Sequence, residues 1–91
     1  MKYEITTSNK YKKQYRKQSE EDKDEIDKVV KKIANGEKLE KHNFDHDLKG
    51  KYVGFRECHV KPDLLLIYRI NKKILELYLS AVGSHSELKL A

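Results

Sequence analysis

The stretch FRECHVKPDLLLIYRI, Phe55 to Ile70, decides how this chain is read. Its second half, Leu64 to Ile70, is almost continuously apolar, as expected of a central strand covered on both faces. Its first half belongs to a strand predicted over 52–60, and there the residue types alternate. Phe55, Glu57 and His59 share one face, and Arg56, Cys58 and Val60 the other. Pro62 cannot donate a ladder hydrogen bond, so Lys61, Pro62 and Asp63 read as the turn of a β-hairpin. One end of that hairpin therefore gathers Arg56, Glu57, His59 and Asp63, more acid–base capacity than a purely structural strand pair needs.

Upstream, Tyr3 and Ile5 alternate with Lys2, Glu4 and Thr6, which predicts a short half-buried strand over 2–7. Ser8 offers an N-cap to a basic helix with Tyr11 and Tyr15 on one side. Ser19 caps a second helix whose first acids, Glu20, Glu21 and Asp22, suit the positive end of the helix dipole. Ile26, Val29, Val30 and Ile33 form its single apolar stripe, and Asn35-Gly36 its stop. Residues 37–50 have no clean period and read as a loop. Downstream, Asn71 to Lys73 turn the chain into a strand over 74–80. Gly83-Ser84-His85 then breaks the pattern before a last helical turn over 86–90. The predicted fold is α+β, in the order β-α-α-β-β-β, with a two-helix hairpin on one face of a small, mainly antiparallel sheet. The whole chain, 1–91, is expected to be one domain, since 91 residues leave no room for a second core.

The net charge of +5 favours a polyanion or an acidic protein as partner. The longest unbroken apolar run, Leu64 to Tyr68, falls far short of the roughly 20 residues of a membrane span, so no membrane partner is expected. MKYEITTSNK lacks the apolar stretch of a signal peptide. With Cys58 as the sole cysteine, no internal disulfide and no Cys-based zinc site can form. These features point to a reducing cytoplasm.

In a meander, alternate strand ends meet at one sheet edge, so His85 can approach His59 and Asp63. His46 joins them only if its loop folds across. RNA cleavage by internal transesterification needs a base for the 2′-hydroxyl, an acid for the leaving 5′-oxygen and a cation or donor for the phosphorane. Histidines suit both proton transfers because their ordinary pKa lies near working pH. Plainer readings stand beside this one. Arg56 and Glu57 suit a cross-strand surface ion pair, Asp63 is an ordinary turn residue after Pro62, and Cys58 suits core packing. A zinc site from His46, His59 and His85 is disfavoured because no two lie at a local ligand spacing, and no metal or other cofactor is expected.

The segment DHDLKGKYVGFRECHVKPDLLLIYRI, followed by GSHSEL, resembles the YafQ branch of the RelE/ParE toxin superfamily. The resemblance covers about half the chain, from Asp45 to Leu88. It implies a bacterial type II toxin that cleaves mRNA in the ribosomal decoding site without a metal, neutralised by a cognate acidic antitoxin. Carried over residue by residue, it implies His46, Glu57, His59, Asp63 and His85 as the catalytic set. His46 and His85 would transfer protons, and His59 and Asp63 would position the phosphate. Basic residues available to RNA are Arg56, Lys49, Lys51, Lys61 and Lys89, with Lys12, Lys13 and Arg16 on the first helix. Relatives often carry Arg-Thr where this chain has Ala81 and Val82, and a Phe where it has Lys89. Three rivals stay open: a ParE-like gyrase poison without nuclease activity, a plain basic RNA-binding module, and an inactive toxin relative.

Overall fold

The computed structural model describes residues 1–88. Among these, the chain forms β1 (Glu4–Thr7), α1 (Asn9–Arg16), α2 (Glu20–Ala34), β2 (His46–Asp47), β3 (Arg56–Lys61), β4 (Leu64–Asn71), β5 (Glu76–Gly83) and α3 (His85–Leu88). The sheet order is β1-β5-β4-β3-β2, with β1 parallel to β5 and the other pairs antiparallel. The expected α+β order is present, with β2 as an added edge strand.

Both long helices start where the sequence places their caps. Ser8 Oγ accepts from the Tyr11 backbone N–H at 2.9 Å, and Ser19 Oγ from that of Asp22 at 3.1 Å. The α2 stripe of Ile26, Val29, Val30 and Ile33 packs with Tyr11 on one sheet face, against Cys58, Val60, Leu66, Tyr68, Leu77 and Leu79. The β4 residues of opposite parity, Leu65 and Ile67, join Ala81 and Leu88 in a second cluster on the other face, flanked by Leu48 and Phe55. This is why β4 is apolar along its length: Leu64 to Tyr68 are all buried, and each large side chain contributes about 1.5–3 kcal/mol of burial.

Several boundaries differ from the sequence expectation, the first strand beginning at Glu4 among them. The first hairpin strand begins at Arg56, not at residue 52, because Gly50–Tyr52 forms a 3-10 turn and Gly54 takes φ 93°. The last strand begins at Glu76, not at 74. There Asn71 Oδ1 accepts from the backbone N–H of Lys73 and Ile74, and Leu75 sits in the left-handed region at φ 52°. That strand consequently runs on to Gly83, with Ala81 and Val82 inside it. The segment read as a loop, 37–50, holds a 3-10 turn at Lys41–Asn43 and then β2. Only its two strand residues pair with the sheet, too few for any periodicity to show.

Candidate active site

The sheet face turned away from α1 and α2 carries the titratable residues in rows. Glu57 lies opposite Ile67, which lies opposite Ala81; His59 lies opposite Leu65, which lies opposite Gly83. Register shifts at Val60 and Ser80 flank these rows and bend the strand ends there.

His46 reaches this face because β2 pairs it directly with Glu57, and Asp47 with Arg56. Phe44 turns the chain into β2 with a left-handed φ of 45°, a conformation that costs a non-glycine residue about 1 kcal/mol or more. Its carbonyl accepts a 2.6 Å hydrogen bond from His46 Nδ1. Nε2 is then the ring atom free to take or give a proton, and it lies 3.6 Å from Glu57 Oε1. Asp45 ties β2 to the sheet by accepting from the buried Tyr68 hydroxyl and from Arg56 Nε. Burial, reinforced by the Asp45 hydrogen bond, pushes the Tyr68 phenol well above its ordinary value, so it stays a donor.

Glu57 is 8% exposed and sits between two imidazoles, with His59 Nε2 3.9 Å from the same Oε1. Buried Asn43 donates from Nδ2 to the His59 carbonyl at 2.7 Å. The His59 ring meets Phe44 edge-on at 5.5 Å between centroids, and His85 at 5.8 Å.

His85 is placed by a reciprocal cap. Ser84 N–H donates to Glu87 Oε1 at 2.8 Å, and Glu87 N–H donates to Ser84 Oγ at 3.1 Å. Glycine at 83 makes room for the returning carboxylate, since a Cβ there would lie 3.0 Å from Glu87 Oε1. Asp63 Oδ1 accepts from His85 Nδ1 at 2.6 Å and from the His85 backbone N–H at 3.1 Å. These bonds, the side-chain one first, hold the Asp63 carboxyl below its usual range, so the pair is an ionised carboxylate against an imidazole. The second imidazole nitrogen, Nε2, is left for other chemistry.

His46, Glu57, His59, His85 and Asp63 thus form one contiguous line. Arg56 does not join it. Its guanidinium is on the opposite sheet face, bonded to Asp45 and Asp47. Lys61 pairs with Asp22 at 2.7 Å and Glu21 at 3.2 Å at the start of α2. Lys12, Lys13 and Arg16 are exposed on α1, in the helical layer behind the sheet. Lys49 and Lys51 are exposed in the loop after β2. Lys89 lies outside the described residues. Ala81 is buried against Ile67 and presents no cation, and Val82 faces the helices, where its N–H donates to Gln14 Oε1. Cys58 is fully buried, and burial pushes its thiol up to about 12, so it is inert. Among the described residues no three His, Cys, Asp or Glu side chains converge as metal ligands, and no helix is long and apolar enough to cross a membrane.

Sequence reasoning missed Asn43, Phe44 and Asp45, whose contributions depend on the β2 turn. It also missed the S-x-x-E cap at Ser84–Glu87, which was legible, and Arg69. Strand alternation from Ile67 would have put Arg69 on the histidine face.

Comparison with known proteins bears on what this line of residues does. Residues 3–90 match the model of a family described as bacterial toxin of type II toxin-antitoxin system, YafQ. The mRNA interferase toxin YafQ of Escherichia coli K12 is 41% identical over 44 residues, which span 48% of this chain and 46% of that toxin. A metal-bound toxin from Helicobacter pylori superposes with a TM-score of 0.82 and 41% identity, covering 97% of this chain and 99% of that one. A YafQ chain from the E. coli DinJ–YafQ toxin–antitoxin complex gives 0.81 and 26% identity, covering 97% and 98%.

Proposed function

This chain belongs to the YafQ family of toxins from bacterial type II toxin–antitoxin systems, and on that premise we propose that it is an endoribonuclease that cuts mRNA in the ribosomal decoding site by acid–base transesterification and is silenced by a cognate acidic antitoxin. It would act in the cytoplasm, as a single domain. The observation that carries the reading is the Asp63–His85 pair at 2.6 Å beside the His59–Glu57–His46 line.

The two outer histidines differ in a way that suggests their roles. Asp63 is a carboxylate that accepts from His85 Nδ1, which fixes the ring and leaves Nε2 as the atom that would protonate the leaving 5′-oxygen. His46 donates from Nδ1 to a neutral carbonyl, which leaves the Nε2 lone pair to take the 2′-hydroxyl proton. Glu57 then steadies the charge that His46 acquires, since its carboxylate is 3.6 Å away. His59, between Glu57 and His85, offers a donor to the phosphorane oxygens. The exposed ring of Phe44 borders a groove of about 460 Å³ shared with His42, His59, Val60, Lys61 and Pro62. That groove suits a stacked nucleobase next to the scissile phosphate. The metal-bound Helicobacter relative raises the question of a metal, but the absence of three convergent ligands among the described residues does not fit one, and no step here is routed through it.

The test is cleavage-site mapping by primer extension on translated messages after induction, wild type against His85→Ala. Codon-phased cuts with the wild type and none with the folded variant are expected. Intact transcripts together with damaged DNA would sink the nuclease reading in favour of a gyrase poison. The antitoxin is checked by co-purification with the product of an adjacent small acidic gene.

A further inference from the structure

The histidine face carries one arginine that the mechanism above leaves unused. Arg69 lies on β4 two residues from Ile67, the residue directly opposite Glu57, so it is on the same face, roughly 7 Å along the strand. Its guanidinium lies 5.0 Å from the ring centroid of Phe55 and 5.0 Å from that of Tyr78. The two rings are 6.5 Å apart, centroid to centroid. Phe55 itself packs on the Leu65–Ile67–Ala81 cluster that underlies the site, so the stack is built on the same floor.

Two features separate this arginine from the other cations near the hairpin. Arg56 and Lys61 are each neutralised by two carboxylates, whereas no ion pair among the described residues engages Arg69. The two rings hold the guanidinium by cation–π contact, and no side-chain hydrogen bond among the described residues occupies its N–H donors. Arg69 is exposed, so those donors open to solvent on the side where RNA would lie. A planar fork lodged against two rings without a counter-charge is matched to a bidentate phosphate contact. A cation meant only to staple two rings would gain as much with an acid beside it.

We propose that Arg69, packed against Phe55 and Tyr78, binds a backbone phosphate of the RNA strand flanking the cleaved bond and so sets the strand's register across His46, Glu57 and His85. The inference rests on the nuclease reading above. It makes Arg69 a substrate-binding residue, and Phe55 and Tyr78 its positioning residues.

The experiment measures binding of a single-stranded RNA oligonucleotide, carrying 2′-deoxyribose at the mapped cut so that it cannot be cleaved, by fluorescence anisotropy from low to high salt. Arg69→Gln is expected to weaken binding roughly tenfold. It should also flatten the slope of log affinity against log salt by about 0.7, the mark of one lost phosphate contact. Arg69→Lys should recover the salt slope with only part of the affinity. Phe55→Leu, which keeps apolar packing but removes one ring, should weaken binding roughly threefold with the slope unchanged. An Arg69→Gln protein that melts like the wild type and keeps both affinity and slope overturns the proposal. So does loss of affinity for a co-purifying acidic protein with RNA binding intact, which would assign Arg69 to a protein interface. A wild type that neither cuts messages nor binds the oligonucleotide removes the nuclease reading itself, and the Arg69 assignment with it.

Discussion

Replacing Tyr68 by Phe removes a single hydroxyl at the root of β2 and tests how the sheet holds His46. Tyr68 is 2% exposed, and its hydroxyl donates to Asp45, which Arg56 also reaches at 3.2 Å. Only two residues of β2 pair with β3, and the Asp45 side chain is one further tie to the sheet, beside the Asp47–Arg56 ion pair and the Leu48 N–H bond to the Phe55 carbonyl. A hydrogen bond to a charged acceptor contributes about 1.5–3 kcal/mol. Asp45 keeps Arg56 and is 27% exposed to water, which places the loss near the lower bound, about 1.5 kcal/mol. For a domain of this size, that lowers the midpoint of thermal unfolding by about 6–12 °C. The catalytic effect should exceed the stability effect, because a displacement of the order of 1 Å in a reacting group costs up to about a hundredfold. Cleavage of a translated message is expected to fall at least about tenfold at a temperature where the variant is fully folded. Tyr11→Phe, which trims a hydroxyl in the helical layer, is the control and should leave cleavage unchanged. Should Tyr68→Phe melt within about 2 °C of the wild type and cut at the wild-type rate, Asp45 would not be what holds β2 in place.

Other outcomes follow from the same geometry. Glu57→Gln, which keeps the shape between His46 and His59 but removes the charge, should lower the cleavage rate by about 10²-fold or more with little change in KM, read from single-turnover kinetics. Phe44→Ala should raise KM about fivefold through a lost stacking contact, seen as a concentration dependence that shifts right. Stability should decline in alkali: Cys58, Tyr11 and Tyr68 are held neutral by burial, so their contributions are complete below the ordinary values of 9.0 and 10.0 and are lost as pH rises toward the raised folded values. Urea melts between pH 8 and 11 should show a slope of up to about 1.4 kcal/mol per pH unit per ionising group, shallower by one group in Tyr68→Phe. Leu66→Ala, at a fully buried central position, should cost about 2–5 kcal/mol by chemical denaturation.

What the amino-acid order determined by itself was whatever rests on local periodicity and on residue chemistry. The α2 stripe from Ile26 to Ile33, the serine caps at Ser8 and Ser19, and the apolar run of β4 each answer to contacts a few residues apart, or to burial that any central strand must have. Strand parity likewise put Glu57 and His59 on one face, and meander topology brought His85 toward Asp63. The place of His46 was different in kind. It depends on a left-handed Phe44 and on an Asp45 that finds Tyr68 and Arg56, 23 and 11 residues away along the chain. No periodicity announces a strand of two residues, and no local propensity favours φ > 0 at phenylalanine. The same holds for charge. Sequence counts cations without saying which are already spent, and only the packed structure separated Arg56, neutralised behind the sheet, from Arg69, packed against two rings and open on the face of the histidines.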